Sequence, residues 1–403
     1  MQQHAFGTML RTLRERRDET QAEVAEAVHV SRATIAQWEG GRHLPSPDRA
    51  RSLDAHLDAE GALARLAAQE RSASSGPTAP TGDPNALTVL RVVRLVRKAL
   101  LDRLQRDADG KPIGWCQDLQ SRTPPTPVST AFGVKLAALV EESAKVELSP
   151  LGDKLREMEL STGGWAARTQ DAPRPEAIAV VTDALVRIDP RTDVDDIVEL
   201  LASSLDDVAR QRPHIIATVL ETVLDLRPRS AFAADLLRLL LDSRRECDQV
   251  LLWVEKNEHG LVAPEPSVPH TARAVSALAR AQSKDVVPAE LAAATSQAMD
   301  TAVGWLREQK RFDNTVEIVI RHTSRGTESL DLRHFTAALV MRALVMAGES
   351  AHHPTVAAAA RQTLEAFSED HGLWKWRSGD LPIWMSFDAV AALRTAALAS
   401  FAP

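Results

Sequence analysis

The sequence predicts an all-α protein in two parts: a small helical bundle, then a flexible linker, then a ring of paired helices. Three observations carry that expectation. Apolar residues recur every three to four positions along most of the chain, as at Leu87, Leu90, Val93, Val96, Leu100 and Leu104. That is the period of an amphipathic helix. The run Ser72-Ala-Ser-Ser-Gly-Pro-Thr-Ala-Pro-Thr-Gly-Asp-Pro84 contains nothing that can bury apolar surface and reads as a solvated tether. Beyond it, a cadence of Gly-aromatic, Pro and Ala-Leu recurs in six instances, the third without its Gly-aromatic and the fifth without Gly and Pro. Strand-like alternation is rare, and Ile178-Ala-Val-Val181 sits in surroundings that favour a helix. The division that follows is residues 1–69, a linker over 70–86, and residues 87–403.

The length of 403 residues exceeds what one ordinary core serves, about 250–300. With 44% hydrophobic and 26% charged residues, the chain belongs with globular proteins, not disordered or fibrous ones. No apolar run approaches the roughly 20 residues of a membrane span. The N-terminus puts its charge after a short apolar patch, the reverse of a signal peptide. Two cysteines, Cys116 and Cys247, cannot form a disulfide framework or a four-thiolate zinc site. A cytoplasmic protein without membrane contact is expected.

The small part, a bundle of three to five helices, carries the sharpest motif. Thr20 caps a helix opening at Gln21, with Glu23 three residues on, the spacing of a capping box. Val24, Ala25 and Val28 share one face, and Ala25 is small where a second helix crosses. Val28-His29-Val30 makes the turn, Ser31 caps the second helix, and Ile35 and Trp38 point inward. Arg32, Ala33, Thr34 and Gln37 then point outward from its first turns. Arg and Gln are the side chains with bidentate major-groove geometry, while Ala and Thr methyls pack on thymine. Over Met1 to Leu66 nine Arg face ten acidic residues, so attraction to phosphate is local, through Arg14, Arg17, Arg32 and Arg42. Such a weak field makes binding depend on pairing two copies.

These residues resemble the XRE family of phage-repressor-like helix-turn-helix domains. The resemblance runs from Met9 to Leu66 and includes Leu10, Leu13 and Arg14 of a first helix. It also includes the Trp38-Glu-Gly-Gly-Arg-His-Leu-Pro-Ser46 exit. It implies that Gln21, Ser31, Arg32, Ala33, Thr34 and Gln37 face double-stranded DNA and that the loop holding Arg42 touches phosphate. His29 departs from the family, which usually has Gly at this left-handed turn position; His adopts it at some strain. A homodimer on a pseudo-palindromic operator is the expected partner arrangement.

In the large part the six instances close at Ala138-Leu139, Ala184-Leu185, Val223-Leu224, Ala277-Leu278, Ala343-Leu344 and Ala392-Leu393. Their mean spacing of about 50 residues exceeds the ~34 of tetratricopeptide and ~40–47 of HEAT repeats. Six α-hairpins of that length fit a closed (α/α)6 toroid, whose Ala-rich inner helices can converge on an axis. An open helical-hairpin solenoid is the alternative. The intervening helices fall near Asp195 to Ala209, Phe232 to Leu241 and Met299 to Arg307. The Gly-Trp…Pro…Ala-Leu cadence is similar to the repeats of squalene cyclases and protein-prenyltransferase β subunits, from about Leu87 to Ala402.

Catalytic chemistry is not expected in the ring. Asp193-Val-Asp195-Asp196 matches the acid motif of class II terpene cyclases, but it follows Pro190-Arg-Thr192 and opens an outer helix, where carboxylates cap. Tyr is absent and aromatics total 4%, too few for a cation-stabilising cavity. Gly114-Trp115-Cys116 is similar to the opening of lanthipeptide cyclases, yet no Cys-His pair completes their zinc set. The His residues are scattered, so no metal and no cofactor are expected. Trp115, Trp165, Trp374, Trp376 and Trp384 fall in loops or first helical turns, as wedges between repeats or as the lining of an apolar ligand site. His270, Arg333, His334 and Arg377 would be its polar partners. The expected function is a sequence-specific transcriptional regulator, not an enzyme, whose ring senses a small apolar ligand or a peptide, or mediates dimerisation. The alternatives are a cyclase- or prenyltransferase-like enzyme with a DNA-reading head, and a defence regulator responding to a peptide or protein.

Overall fold

Four named helices build the N-terminal unit: α1 (Ala5–Arg16), α2 (Gln21–Ala27), α3 (Arg32–Glu39) and α4 (Pro47–His56). The computed structural model describes residues 5–67 apart from 18, 29, 31, 41–43, 46, 58, 60 and 65. It also describes residues 86–399 apart from 141–144, 168–171, 190–191, 256–264 and 324–325. The linker assigned to 70–86 lies outside the described residues except for Ala86. The chain divides into two units, residues 1–81 and 82–403.

In the first unit Thr20 caps α2 reciprocally. Its hydroxyl accepts the Glu23 amide, while the Glu23 carboxylate accepts the Thr20 amide at 2.6 Å. Phe6, Leu10, Val24, Ala25, Val28, Ile35, Trp38, Leu53 and Leu63 form one apolar core. α1 crosses the end of α3 so closely that a methyl on Gly7 would run into the carbonyls of Trp38 and Glu39. Arg49 of α4 donates to the Val28 carbonyl, tying the turn between α2 and α3 to the fourth helix.

The second unit alternates outer and inner helices. Outer α5 (Ala86–Asp102) precedes inner α6 (Pro127–Val140), and outer α7 (Lys145–Glu157) precedes inner α8 (Pro175–Ile188). Outer α9 (Val194–Ser204) and the short α10 (Asp207–Arg210) precede inner α11 (Pro213–Leu226). Outer α12 (Ala231–Asp242) precedes inner α13 (Val268–Ser283), outer α14 (Ala289–Arg307) inner α15 (Thr336–Met346), and outer α16 (Pro354–Glu365) inner α17 (Ile383–Ala399). Each inner helix packs on the next, and α17 packs back on α6. The architecture is therefore a closed (α/α)6 toroid, not an open solenoid. Buried alanines on the inner helices, among them Ala131, Ala179, Ala217, Ala274 and Ala337, allow the close convergence.

Strands are short, with one exception. Hairpins β1 (Gln105–Arg106)–β2 (Pro112–Gly114) and β3 (Arg245–Cys247)–β4 (Val250–Leu252) each link an outer helix to the next inner one. The long antiparallel hairpin β5 (Thr315–Thr323)–β6 (Gly326–His334) stands between α14 and α15. The last pair is β7 (Phe367–Ser368)–β8 (Leu373–Trp374). The long hairpin corrects the expectation that strands are all but absent. Thr315-Val-Glu-Ile-Val-Ile-Arg-His-Thr323 is dense in β-branched residues, the composition that suits a pleated surface. It also explains why the fifth repeat is the longest and lacks its Gly and Pro signals. Two outer helices differ from expectation as well: the 195–209 segment breaks at Leu205-Asp206, and the helix expected from Met299 begins at Ala289.

The Gly-Trp openings act as wedges. Trp115, Trp165, Trp253 and Trp374 are buried, and each indole N–H donates into the last turn or two of the preceding outer helix. The acceptors are the carbonyls of Leu100 at 2.8 Å, Leu155 at 2.7 Å, Leu240 at 2.9 Å and Thr363 at 2.7 Å. Helix ends leave carbonyls without partners, and the indole fills one of them. In the fourth repeat the wedge is Trp253, at the end of the β3–β4 hairpin, and not a residue of a Gly-aromatic pair.

Candidate functional site

In the first unit Ile35 and Trp38 of α3 turn inward, and Arg32 and Gln37 are exposed on its other side. Thr34 is half-buried, and Ala33 is helical between Arg32 and Thr34. Ser31, Arg42 and His29 lie outside the described residues. Gln21 opens α2, but its amide donates to Glu39 at 2.9 Å. Glu39, from the Trp38-Glu-Gly exit, also binds Arg14 at 2.6 Å and faces Arg11 at 3.5 Å. Burial raises its pKa, but the hydrogen bonds of Arg14 and Gln21 and the charges of Arg14 and Arg11 outweigh burial and hold it below the usual carboxylate range. This anchor fixes α3 against α1 and α2, so the exposed Arg32 and Gln37 stand on a rigid support.

Within the toroid lies a cavity of about 1000 Å³. Its wall mixes apolar rings with ion pairs carried by inner helices. Phe132 and Phe387 lie 5.5 Å apart, with the Lys135 ammonium over Phe387 at 4.8 Å. Lys135 meets Asp183 at 2.7 Å, Arg187 meets the same carboxylate at 2.9 Å, and Arg342 meets Glu221 at 3.2 Å. Asp183 is pushed up by burial but brought down further by Lys135 and Arg187, ending below its ordinary value. Burial raises the pKa of Asp388, which faces Arg273 at 3.7 Å. The wall thus offers both proton donors and acceptors beside its apolar rings.

The residues assigned to a ligand site do not come together. Trp115, Trp165 and Trp374 are wedges in the core and not on the cavity wall. Trp384 is on the wall and meets Trp376 edge-on at 5.7 Å, with the Arg333 guanidinium over Trp376 at 5.5 Å. Arg377 faces Asp313 at 3.8 Å. His270 and His334 lie elsewhere, deep among charged groups the sequence reading passed over.

That cluster centres on Glu317 of β5, which is 2% exposed. Arg212 binds Glu317 Oε1. His270 Nε2 lies 3.1 Å from Oε2, His334 Nε2 3.6 Å and His214 Nδ1 3.7 Å. Burial pushes His214 well below the usual imidazole value and His334 down to about 4. Burial raises Glu317, but the three imidazoles outweigh it and hold the carboxyl well below its ordinary range. His214 and His334 are therefore neutral and Glu317 anionic near neutral pH. The imidazoles that sequence reading treated as scattered come together here. The available signal was Pro-His at the first turn of two successive inner helices, Pro213-His214 and Pro269-His270.

The acidic Asp193–Asp196 run lies on the outer ring. Asp193 accepts the amides of Asp195 and Asp196 as a helix cap, and Asp195 pairs with Arg227 at 2.7 Å on the surface. Cys116 Sγ lies 2.9 Å from the Thr123 carbonyl, and both cysteines are free and buried. No helix among the described residues is long and apolar enough to cross a membrane.

A family model described as a helix-turn-helix domain matches residues 5–67, so the N-terminal unit is a helix-turn-helix domain. No curated protein matches the chain. Among solved structures, a family 76 glycoside hydrolase from a bovine Bacteroides thetaiotaomicron strain aligns with a TM-score of 0.50 at 8% identity, covering 77% of each chain. A protein from Actinoplanes aligns with a TM-score of 0.47 at 18% identity, covering 77% of this chain and 99% of its own. The first likeness concerns the helical toroid fold alone.

Proposed function

We propose that the chain is a sequence-specific DNA-binding regulator of the XRE type, working in the cytoplasm as a homodimer. The observation that carries the reading is the exposed side of α3. There Arg32 and Gln37 project from a helix-turn-helix domain whose Ile35, Trp38 and Glu39 are locked into the core. In this reading α3 enters the major groove, and the two side chains meet base edges. The toroid serves as its sensor, taking into the central cavity a small molecule with both apolar surface and hydrogen-bonding groups. Such a ligand suits the mixed wall better than the purely apolar one expected from the tryptophans. Binding would act by favouring the dimer geometry in which two recognition helices match their half-sites.

Footprinting on the protein's own promoter region, followed by anisotropy titration, tests the first claim. Arg32→Ala and Gln37→Ala are each expected to cost about 1–3 kcal/mol of specific affinity and to relax selectivity at one base position. Absence of any sequence-selective protection, or unchanged selectivity in both variants, would refute it.

A further inference from the structure

His214 is the second residue of α11, His270 the third of α13, and His334 ends β6 just before α15. Two successive inner helices and the strand leading into the next thus aim imidazoles at one carboxylate. Among these buried groups, His214 Nδ1 and both nitrogens of His334 make no hydrogen bond. An unsatisfied buried polar atom keeps its desolvation cost with no bond to offset it, so three at one point are a heavy burden for a cluster with only a structural role. A cation bound between His214, His270 and Glu317 would satisfy His214 Nδ1.

The spacing suits one. Ligand atoms about 2.0–2.1 Å from a tetrahedral zinc ion lie roughly 3.3 Å from each other. The His270 and His214 nitrogens stand 3.1 and 3.7 Å from Glu317 Oε2, within a few tenths of an ångström of that edge, and the ligand atoms of these three residues all lie within 4.8 Å of one another; His334 Nε2, 3.6 Å from the same oxygen, stands outside that group. The outer partners are in place too. Ser267 Oγ holds His270 Nδ1 at 2.7 Å, leaving Nε2 toward the centre, and Arg212 holds Oε1, leaving Oε2. Metal-binding imidazoles and carboxylates are commonly oriented by such contacts. Arg212 opposes a cation electrostatically, but it sits on the oxygen that faces away from the histidines.

We infer that His214, His270 and Glu317 bind one divalent transition-metal ion of the zinc class, with His334 beside them. Two imidazoles and one carboxylate select zinc or its imidazole-loving neighbours over magnesium and calcium. The ion ties α11, α13 and the β5–β6 hairpin at one point of the ring. Because His214 also lines the central cavity, a molecule bound there comes within reach of the metal environment. The site stands independently of the DNA-reading proposal.

The test uses full-length protein stripped with a chelator and titrated with Zn²⁺ against a chromogenic competitor, with metal content measured after dialysis. One equivalent per chain is expected, with a rise in melting temperature on loading. His270→Asn, near in size to the original, should lose both while keeping native circular dichroism. Ser267→Ala should weaken binding about tenfold. A Cys116→Ser/Cys247→Ser variant should still bind one equivalent, and Co²⁺ should give tetrahedral ligand-field bands without a thiolate charge-transfer band. Absence of stoichiometric binding, equal binding by the His270→Asn variant, or loss of binding in the cysteine variant would each overturn the assignment.

Discussion

Glu39 is the most constrained carboxylate of the N-terminal unit. Its side chain is 1% exposed, and Arg14, Gln21 and Arg11 surround it. Glu39→Gln keeps the shape but leaves the Arg14 guanidinium, itself only 13% exposed, without its counter-charge. Breaking a fully buried pair costs 3–5 kcal/mol; partial exposure of Arg14 lowers the expected loss to about 1–3 kcal/mol. The pH dependence has a definite sign. The folded carboxyl titrates below its unfolded value of 4.5, so its contribution is complete above that value and is lost as pH falls through the folded pKa. The deficit of Glu39→Gln, read from hydrogen exchange at Leu10 and Ile35, should be full at neutral pH and shrink below pH ~4.5. A deficit independent of pH would show that packing, not charge, holds α3. Sequence reading placed Glu39 in a family motif but gave it no partner, because Arg14 and Gln21 meet it only after three helices have packed.

Among the elements, the wedge tryptophans show most directly how a repeat is built. Trp115 lies flat on Gly133 of α6, where an added methyl would run into its ring. The ring cannot retreat without giving up its bond to the Leu100 carbonyl. A Gly-to-Ala change inside a helix normally stabilises by about 0.5–1 kcal/mol. Overpacking costs about 1–3 kcal/mol and should win, so Gly133→Ala is expected to lower the melting temperature of the toroid. A rise would mean that the indole has room to move. Where a repeat carries its Gly, Trp and Pro, they make the inner helix legible in sequence, since each answers a local demand: a turn, a wedge, a helix start. The β5–β6 hairpin was not legible, because it answers a demand of the ring, bringing Glu317 to histidines that lie 47 and 17 residues away at His270 and His334. His214, farther still along the chain, reaches the same carboxylate because α11 and α13 pack side by side in the inner ring. The charged cavity wall was hidden for the same reason, its partners standing on different helices.

Closure itself has a seam. The Leu119 amide donates to the Leu381 carbonyl at 3.0 Å, the Ile383 amide to Gln117 at 3.1 Å, and Asp118 Oδ1 accepts the Leu381 amide at 2.9 Å. Arg394 of α17 reaches the Leu139 carbonyl at the end of α6. These contacts join the last repeat of the toroid to the first, which a linear stack of hairpins cannot do. An open array holds each unit by its neighbours alone and frays from its ends. A ring removes the ends, so α6 and α17 should be as protected against exchange as α11 and α13 opposite. Asp118→Ala removes one seam bond to a half-buried amide, worth about 1–2 kcal/mol. The protection of α6 and α17 should then fall together, while α11 and α13 keep theirs. If instead all six inner helices lose protection equally, the toroid opens only as a whole and the seam is no weaker than any other joint. If α17 frays alone and α6 is unmoved, its contact with α6 contributes little to holding the ring shut.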